Sequence, residues 1–248
     1  MTPYYQHGGI TIYHGDCREV SIDRVDAIVT DPPYGETSLE WDKQVRGWMD
    51  AAASISSSLW CFGSLEFFME MARTGESSRW TRSQELVWEK HNGSGFHADR
   101  FKRVHELIVH FYRGPWSGIY HQPVFTRDAV SRAVRREIRP AHMGNIAAHA
   151  FVSFDGGPRM MRSVIYARSC HGMADHPTQK PIEIIVPILE YSVPVGGTVV
   201  DMFCGSGSTL VAAKSLGLHG VGIEIEERSC EIAARRLSQE VIEFTPVC

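Results

Sequence analysis

Two short stretches hold the residue types that chemistry needs. The first, Asp31-Pro32-Pro33-Tyr34-Gly35, directly follows the apolar run Val25 to Thr30. Two prolines remove two backbone donors, so the turn offers a carboxylate and carbonyl oxygens, all acceptors, beside an aromatic ring. Such a set suits a planar amine: an NH2 group on a nucleobase can donate to Asp31 and to the Pro32 carbonyl while Tyr34 stacks on the ring. Taken alone, Asp-Pro-Pro is more often a proline-stiffened turn, with its tyrosine a lid on the core.

The second stretch is Asp201-Met202-Phe203-Cys204-Gly205-Ser206-Gly207-Ser208-Thr209, an apolar strand entering a glycine-rich turn and then a helix. Glycines at the carboxyl end of a parallel strand let a ligand approach the backbone closely. About twenty residues on, Glu224 ends the next strand, where an acidic side chain can accept both hydroxyls of a ribose. A dinucleotide loop would need a third glycine at Leu210, which instead patterns as helix core. The layout therefore fits a single nucleoside, although a glycine turn before a helix is by itself a weak signal.

The elements that must position these stretches are legible as alternation. Apolar, β-branched runs at Ile10 to Tyr13, Val25 to Thr30, Leu59 to Phe62, Glu85 to Trp88, Glu106 to Tyr112, Thr198 to Met202 and Gly220 to Ile223 predict seven strands. Helical periodicity falls at Val45 to Ile55, Leu65 to Arg73, Ile182 to Tyr191 with Pro187 expected to kink it, Thr209 to Leu216, and Glu227 to Gln239. Alternating strands and helices predict a Rossmann-like α/β fold with a mostly parallel sheet covered on both faces. The runs around Leu86 and Ile108 have no helical pattern between them and are expected to pair antiparallel at an edge. Gly114 to Asp175 keeps neither period and reads as a small loop-rich insertion. The expected division is thus residues 1–113, an insertion at 114–175, and 176–248.

A net charge of -4 conceals an uneven distribution. Arg79 to Arg168 holds 15 Lys plus Arg against 7 Asp plus Glu, and the remainder 10 against 22. A basic middle predicts one surface facing phosphates, with Arg132, Arg135, Arg136 and Arg139 as candidate DNA contacts; a solvated helix face is the bland alternative. Six cysteines form no Cys-x-x-Cys pair, the histidine spacings match no standard ligand pair, and Cys170-His171 is adjacent, so no metal is expected. Without a run of ~18 apolar residues or an export signal, the expectation is a soluble cytoplasmic protein with no membrane contact.

Together the motifs resemble those of a known family, the amino-methylating DNA methyltransferases of the group whose catalytic motif precedes its cofactor motif. The resemblance includes His14-Gly15-Asp16-Cys17, Val29 through Gly35, Val87-Trp88-Glu89-Lys90, His105-Glu106, His176-Pro177-Thr178-Gln179-Lys180-Pro181, Asp201 through Thr209 and Gly222-Ile223-Glu224. It implies a seven-stranded class I methyltransferase sheet with the strand ending at Asp201 beside that ending at Asp31. It also implies S-adenosylmethionine as cofactor and a base flipped from DNA, expected to be double-stranded, as substrate.

By the same resemblance Asp31, Pro32, Pro33 and Tyr34 are catalytic. Phe203 and Gly205 to Gly207 line the methionine part of the cofactor, Glu224 takes the ribose, Asp16 lies near the adenine, and Lys180 closes the methionine end. Cys17, Asp31, Asp201, Cys204, Ser206, Ser208 and Thr209 complete the implied cofactor site. Adenine N6 is the expected target, because members of the cytosine-N4 branch more often carry Ser where this chain has Asp31. An RNA or protein amide methyltransferase more often carries Asn there, and a nicotinamide-dependent oxidoreductase is opposed by Leu210. The insertion is a candidate target-recognition region, short enough that a homodimer could share the contacts. Neither the target sequence nor a companion restriction nuclease is legible.

Overall fold

The computed structural model describes residues 1–37, 42–94, 98–135, 150–169 and 179–239. In its first half the elements are β1 (Tyr5–His7), β2 (Ile10–His14), β3 (Ala27–Thr30), α1 (Trp48–Ile55), β4 (Ser58–Gly63), α2 (Leu65–Thr74), β5 (Thr81–Ser94) and β6 (Arg103–Tyr112). Then come β7 (Phe125–Thr126), β8 (Arg132–Arg135), β9 (Ala150–Ser153) and β10 (Arg159–Met160), followed by β11 (Val164–Ala167), α3 (Ile182–Ser192), β12 (Thr198–Asp201), α4 (Ser208–Ser215), β13 (His219–Glu224) and α5 (Glu227–Ser238).

One sheet runs in the order β1-β2-β13-β12-β3-β4-β6-β5-β11. The five strands from β2 to β4 are mutually parallel, and β6 is antiparallel to both β4 and β5. Parallel strands need both faces covered. Accordingly Ile10, Ile12 and Val29 pack in one apolar cluster with Ile184 of α3, Leu210 of α4 and Ala233 of α5. Ile28, Leu59 and Val200 pack in another with Trp48 of α1 and Phe67 of α2.

The sheet has nine described strands where seven were expected. The added β1 is joined to β2 by Gly8 and Gly9, at φ 57° and 80°, the left-handed pair that a tight hairpin turn requires. The other addition, β11, lies parallel to β5 at the far edge. Helix α1 starts three residues later than its periodicity predicts, because Gly47 adopts φ 78° and halts any earlier turn. Pro187 sits inside α3, which remains one helix from Ile182 to Ser192.

Close approach of α4 to the sheet depends on two glycines in β13. A Cβ on Gly222 would lie 2.6 Å from Cys204 Sγ and 2.8 Å from Leu210 Cδ1, and one on Gly220 would lie 3.1 Å from Leu210 Cδ2. Leu210, fully buried, thus fills the space that a third loop glycine would leave open.

The chain divides into two compact units, one of residues 1–122 and 163–248 and one of Pro123–Arg162. The second is narrower than Gly114 to Asp175. Trp116 packs edge-on to Tyr112 at 5.0 Å, and the Gln122 amide donates to the Tyr191 carbonyl at 2.8 Å, so both belong to the first unit. Within the second unit β7 pairs with β10, and β8 with β9. Arg132 and Arg135 therefore stand on a strand, not on the helix face considered from sequence. No described helix is long and apolar enough to cross a membrane.

Candidate active site

Strands β3 and β12 pair in parallel, Val199 opposite Ala27 and Val200 opposite Ile28, so Asp31 and Asp201 emerge side by side at their carboxyl ends. The Thr30 hydroxyl ties the two ends together. It donates to Asp201 Oδ1 at 2.8 Å and accepts from the Phe203 amide at 3.2 Å. Asp201 is a buried brace beneath the turn, and burial in that apolar setting pushes its carboxyl up to about 6.

Above it the chain turns through Gly205 and Gly207, at φ 49° and 79°. The Cys204 amide donates to the Ile223 carbonyl at 2.9 Å, fastening the turn to β13. Glu224 accepts from the Gly205 amide at 2.7 Å through Oε2 and from the Glu226 amide at 2.8 Å through Oε1. Its carboxylate is thereby fixed, with lone pairs left to accept other donors. A Cβ built on Gly205 would meet only the Phe203 carbonyl, at 4.0 Å, so the backbone here is open to a ligand.

The remaining cofactor candidates fall into distinct settings. Phe203 is half-buried, its ring edge-on to Trp48 at 5.5 Å. Cys204, Ser206, Ser208 and Thr209 are buried, and Arg236 donates to the hydroxyls of Ser206 at 3.1 Å and Ser208 at 3.5 Å. These four side chains hold the turn in shape. Asp16 lies one residue beyond the Gly15 amide, which donates to the Glu224 carbonyl at 2.8 Å, but both its carboxylate oxygens are taken by Arg18. Burial pushes the neighbouring Cys17 thiol up to about 12.

On the β3 side Pro32 is buried, and the Tyr34 ring lies 5.1 Å from that of Phe67. Gly35, at φ 74°, turns the chain away, and its amide donates to Asp42 Oδ1 at 2.8 Å. The Tyr34 hydroxyl is 2.5 Å from Asp31 Oδ1 and 2.9 Å from Glu106 Oε1. Lys180 places Nζ 2.5 Å from Asp31 Oδ2 and 3.0 Å from Glu106 Oε1, and Lys90 Nζ lies 2.6 Å from Glu106 Oε2. Asp31, Lys180, Glu106 and Lys90 thus form a chain of alternating charge whose two carboxylates both meet the Tyr34 hydroxyl.

Their titration follows from that arrangement. Burial raises the Asp31 carboxyl against the pull of Lys180, and the Glu106 charge raises it further. Burial would raise Glu106 as well, yet Lys180 and Lys90 outweigh it and hold that carboxyl at about 2. Tyr34 is pushed well above its ordinary range by burial and by both carboxylates, so it remains a donor.

Asp31, Pro32, Pro33 and Tyr34 are therefore gathered at one point with Lys180, which faces the carboxylates. Arg132 and Arg135 lie in the other compact unit, while Arg136, Arg139 and His176 to Thr178 lie outside the described residues. Sequence reasoning noticed Lys90 and Glu106 but gave them no role. The available signal was a carboxylate inside an apolar strand, Glu106 before Leu107-Ile108-Val109, opposite Trp88 and diagonal to Lys90.

A family model described as DNA methylase, of the N6/N4 type, matches residues 25–235. Among curated relatives the chain is 25% identical to the type II methyltransferase M.ScaI of Streptomyces caespitosus, over 96% of this chain and 84% of that one. Among solved structures it resembles M1.HpyAVI in its complex with SAM, at TM-score 0.63 and 22% identity over 92% of this chain and 99% of that one. It also resembles the cytosine-N4-specific PvuII DNA methyltransferase, at TM-score 0.64 and 13% identity over 97% of this chain and 90% of that one. Both structural likenesses identify the class I methyltransferase fold.

Proposed function

The chain belongs to the N6/N4 DNA methylase family, and we propose that it moves a methyl group from S-adenosylmethionine to N6 of an adenine turned out of double-stranded DNA. The observation that carries this reading is the juxtaposition of two turns on paired strands. The acceptor-only turn Asp31 to Tyr34 leaves β3 beside the glycine turn that leaves β12. Ligands of open α/β sheets gather in the crevice at such carboxyl ends.

The residues fit the cofactor. The backbone at Gly205 is open, and Glu224 is an anchored acceptor suited to ribose hydroxyls. Phe203 offers a half-buried aromatic face toward the methionine portion. When bound, the cofactor supplies an electrophilic methyl group on a positively charged sulfur that leaves as a neutral thioether.

The chain's own residues must improve a poor nucleophile, because the lone pair of an exocyclic amine is delocalised into the base. Asp31 and the Pro32 carbonyl accept the two amine protons and favour a pyramidal nitrogen. They also stabilise the positive charge that grows on it. Tyr34 stacks on the base and holds it in line. The methylated nitrogen is strongly acidic and releases its proton to Asp31 or to water.

Asp31 favours adenine over cytosine, whose methyltransferases more often place Ser there. The sheet itself is shared with a cytosine-N4-specific enzyme, so the preference rests on that side chain. Target contacts are assigned to Pro123–Arg162, where Arg127, Arg132, Phe125 and Phe154 are exposed. Incubating the purified protein with genomic DNA and labelled S-adenosylmethionine, then digesting to nucleosides, tests the assignment. N6-methyladenine is expected; N4-methylcytosine alone would transfer the reading to the cytosine branch.

A further inference from the structure

Both oxygens of Asp31 are engaged before any amine arrives. Oδ1 is 2.5 Å from the Tyr34 hydroxyl and Oδ2 is 2.5 Å from Lys180 Nζ. Each oxygen keeps a lone pair for an amine, but a phenol and an ammonium already share the Asp31 charge and weaken it as an acceptor, and a buried donor left with no acceptor would oppose its own removal. Glu106 relieves that competition. Its Oε1 lies 2.9 Å from the same hydroxyl and 3.0 Å from the same ammonium. Each donor therefore has a second acceptor within reach of a torsional adjustment.

We propose that Glu106 is a positioning residue that draws the Tyr34 hydroxyl and the Lys180 ammonium to itself as the target base enters, leaving the Asp31 charge undivided for the amine. The proposal rests on the methyl-transfer reading above.

Three further features equip Glu106 for this exchange. Lys90 engages Oε2 at 2.6 Å, which leaves Oε1 to the Tyr34 hydroxyl and the Lys180 ammonium. Lys90 is itself placed by the Trp88 ring, whose centroid is 4.4 Å from Nζ. Glu106 also stays ionised across the working range, its carboxyl held at about 2, and so remains a strong acceptor. Tyr34 has one proton for two acceptors, and the shorter distance to Asp31 marks the resting partner.

The test compares Glu106→Gln, alone and with Tyr34→Phe, against the parent in single-turnover methylation of DNA. In Glu106→Gln the only anion left to Tyr34 and Lys180 among the described residues is Asp31, so turnover should fall about 10- to 100-fold, as for a misplaced reacting group. Cofactor affinity should stay within about twofold, because Glu224 and the glycine turn are untouched. Tyr34→Phe keeps the stacking ring and removes one competing donor. The double variant should therefore be several-fold faster than Glu106→Gln, which a purely structural role for Glu106 would not produce. Removing the Glu106 charge should also move the acid limb of kcat/KM to lower pH, since that charge helps hold the Asp31 carboxyl up while Lys180 and Tyr34 remain.

Parental turnover in Glu106→Gln overturns the proposal, and so does a double variant no faster than the single one. If Glu106→Gln does not fold, Glu106→Asp serves in its place, keeping the charge but withdrawing the oxygen by one methylene. A parent that methylates no DNA removes the function and the exchange together; an active parent matched by its Glu106 variants removes the exchange alone.

Discussion

Asp31 and Lys180, 149 positions apart in the chain, meet at 2.5 Å, so the residue preceding α3 by two positions neutralises the carboxylate at the end of β3. That ammonium opposes the effect of burial on Asp31. Lys180→Met should raise the Asp31 carboxyl further and move the acid limb of kcat/KM to higher pH, opposite to Glu106→Gln. A pH–rate profile of the variant checks the sign, and an unmoved limb would detach Lys180 from the titration.

Asp31→Ala should lower turnover by about 10²- to 10³-fold or more while leaving S-adenosylmethionine affinity nearly unchanged, because the interaction it removes strengthens only as charge develops on the amine. Tyr34→Ala should instead weaken capture of the base by about 1 to 3 kcal/mol. A mismatched or abasic partner opposite the target lowers the cost of extrusion. Such DNA should partly rescue Tyr34→Ala and leave Asp31→Ala inactive. Equal rescue of both would show that the two side chains do not divide the work in this way.

Glu224→Ala should weaken S-adenosylmethionine binding by about 1 to 3 kcal/mol, since hydrogen bonds to a charged acceptor disappear. The parent should bind S-adenosylmethionine in preference to NAD, since fully buried Leu210 occupies the third-glycine position. Calorimetry with both ligands decides each point. An unchanged affinity in Glu224→Ala removes that residue from the site.

Asp201 links stability to pH. Its carboxyl is raised to about 6 in the folded chain, against an ordinary aspartate value of about 4. Between those values the folded chain holds a proton that the unfolded chain has released. The stabilisation tied to that proton is full below about pH 4 and is lost as pH rises through about 6. Asp201→Asn, which keeps an acceptor for Thr30, should therefore gain stability relative to the parent between pH 5 and 7.5, by up to roughly 2 kcal/mol. Denaturant melts at the two pH values measure the difference; a gap independent of pH would show that Asp201 is ionised throughout.

If β8 faces DNA, Arg132→Glu should weaken binding across sequences and reduce the slope of log affinity against log salt by about 1 for each phosphate no longer neutralised. Cofactor binding should be unaffected. A salt titration that superimposes on the parent would leave Arg132 on a merely solvated strand.

How legible the molecule was in its sequence depended on whether the decisive contacts were local. Strands β3, β12 and β13 follow directly from β-branched runs, and the two turns from prolines and glycines whose effects act within a few residues. Strand β1 was missed because Tyr5–His7 offers only three residues, mostly exposed, although Gly8-Gly9 announced the hairpin. The division of the middle segment was similarly hidden, since Trp116 and Gln122 join the larger unit through contacts with Tyr112 and Tyr191. Glu106 had a visible oddity, a carboxylate entering an apolar strand, but its meaning required Lys180 and Tyr34 to converge on it from remote positions.

The strand order has a consequence for how the chain acquires its fold. Strands β2 and β3 follow one another in sequence, yet β13 and β12 lie between them in the sheet. During synthesis from the amino end, β3 therefore waits with an open edge for β12 (Thr198–Asp201) and β2 for β13 (His219–Glu224). Such remote pairing makes folding slow and leaves the waiting edges exposed to aggregation or to pairing with each other. The same delay bears on the proposed chemistry: Asp31 is made well before β12, so a chain that stops short of β12 lacks the glycine turn proposed to hold the methyl donor.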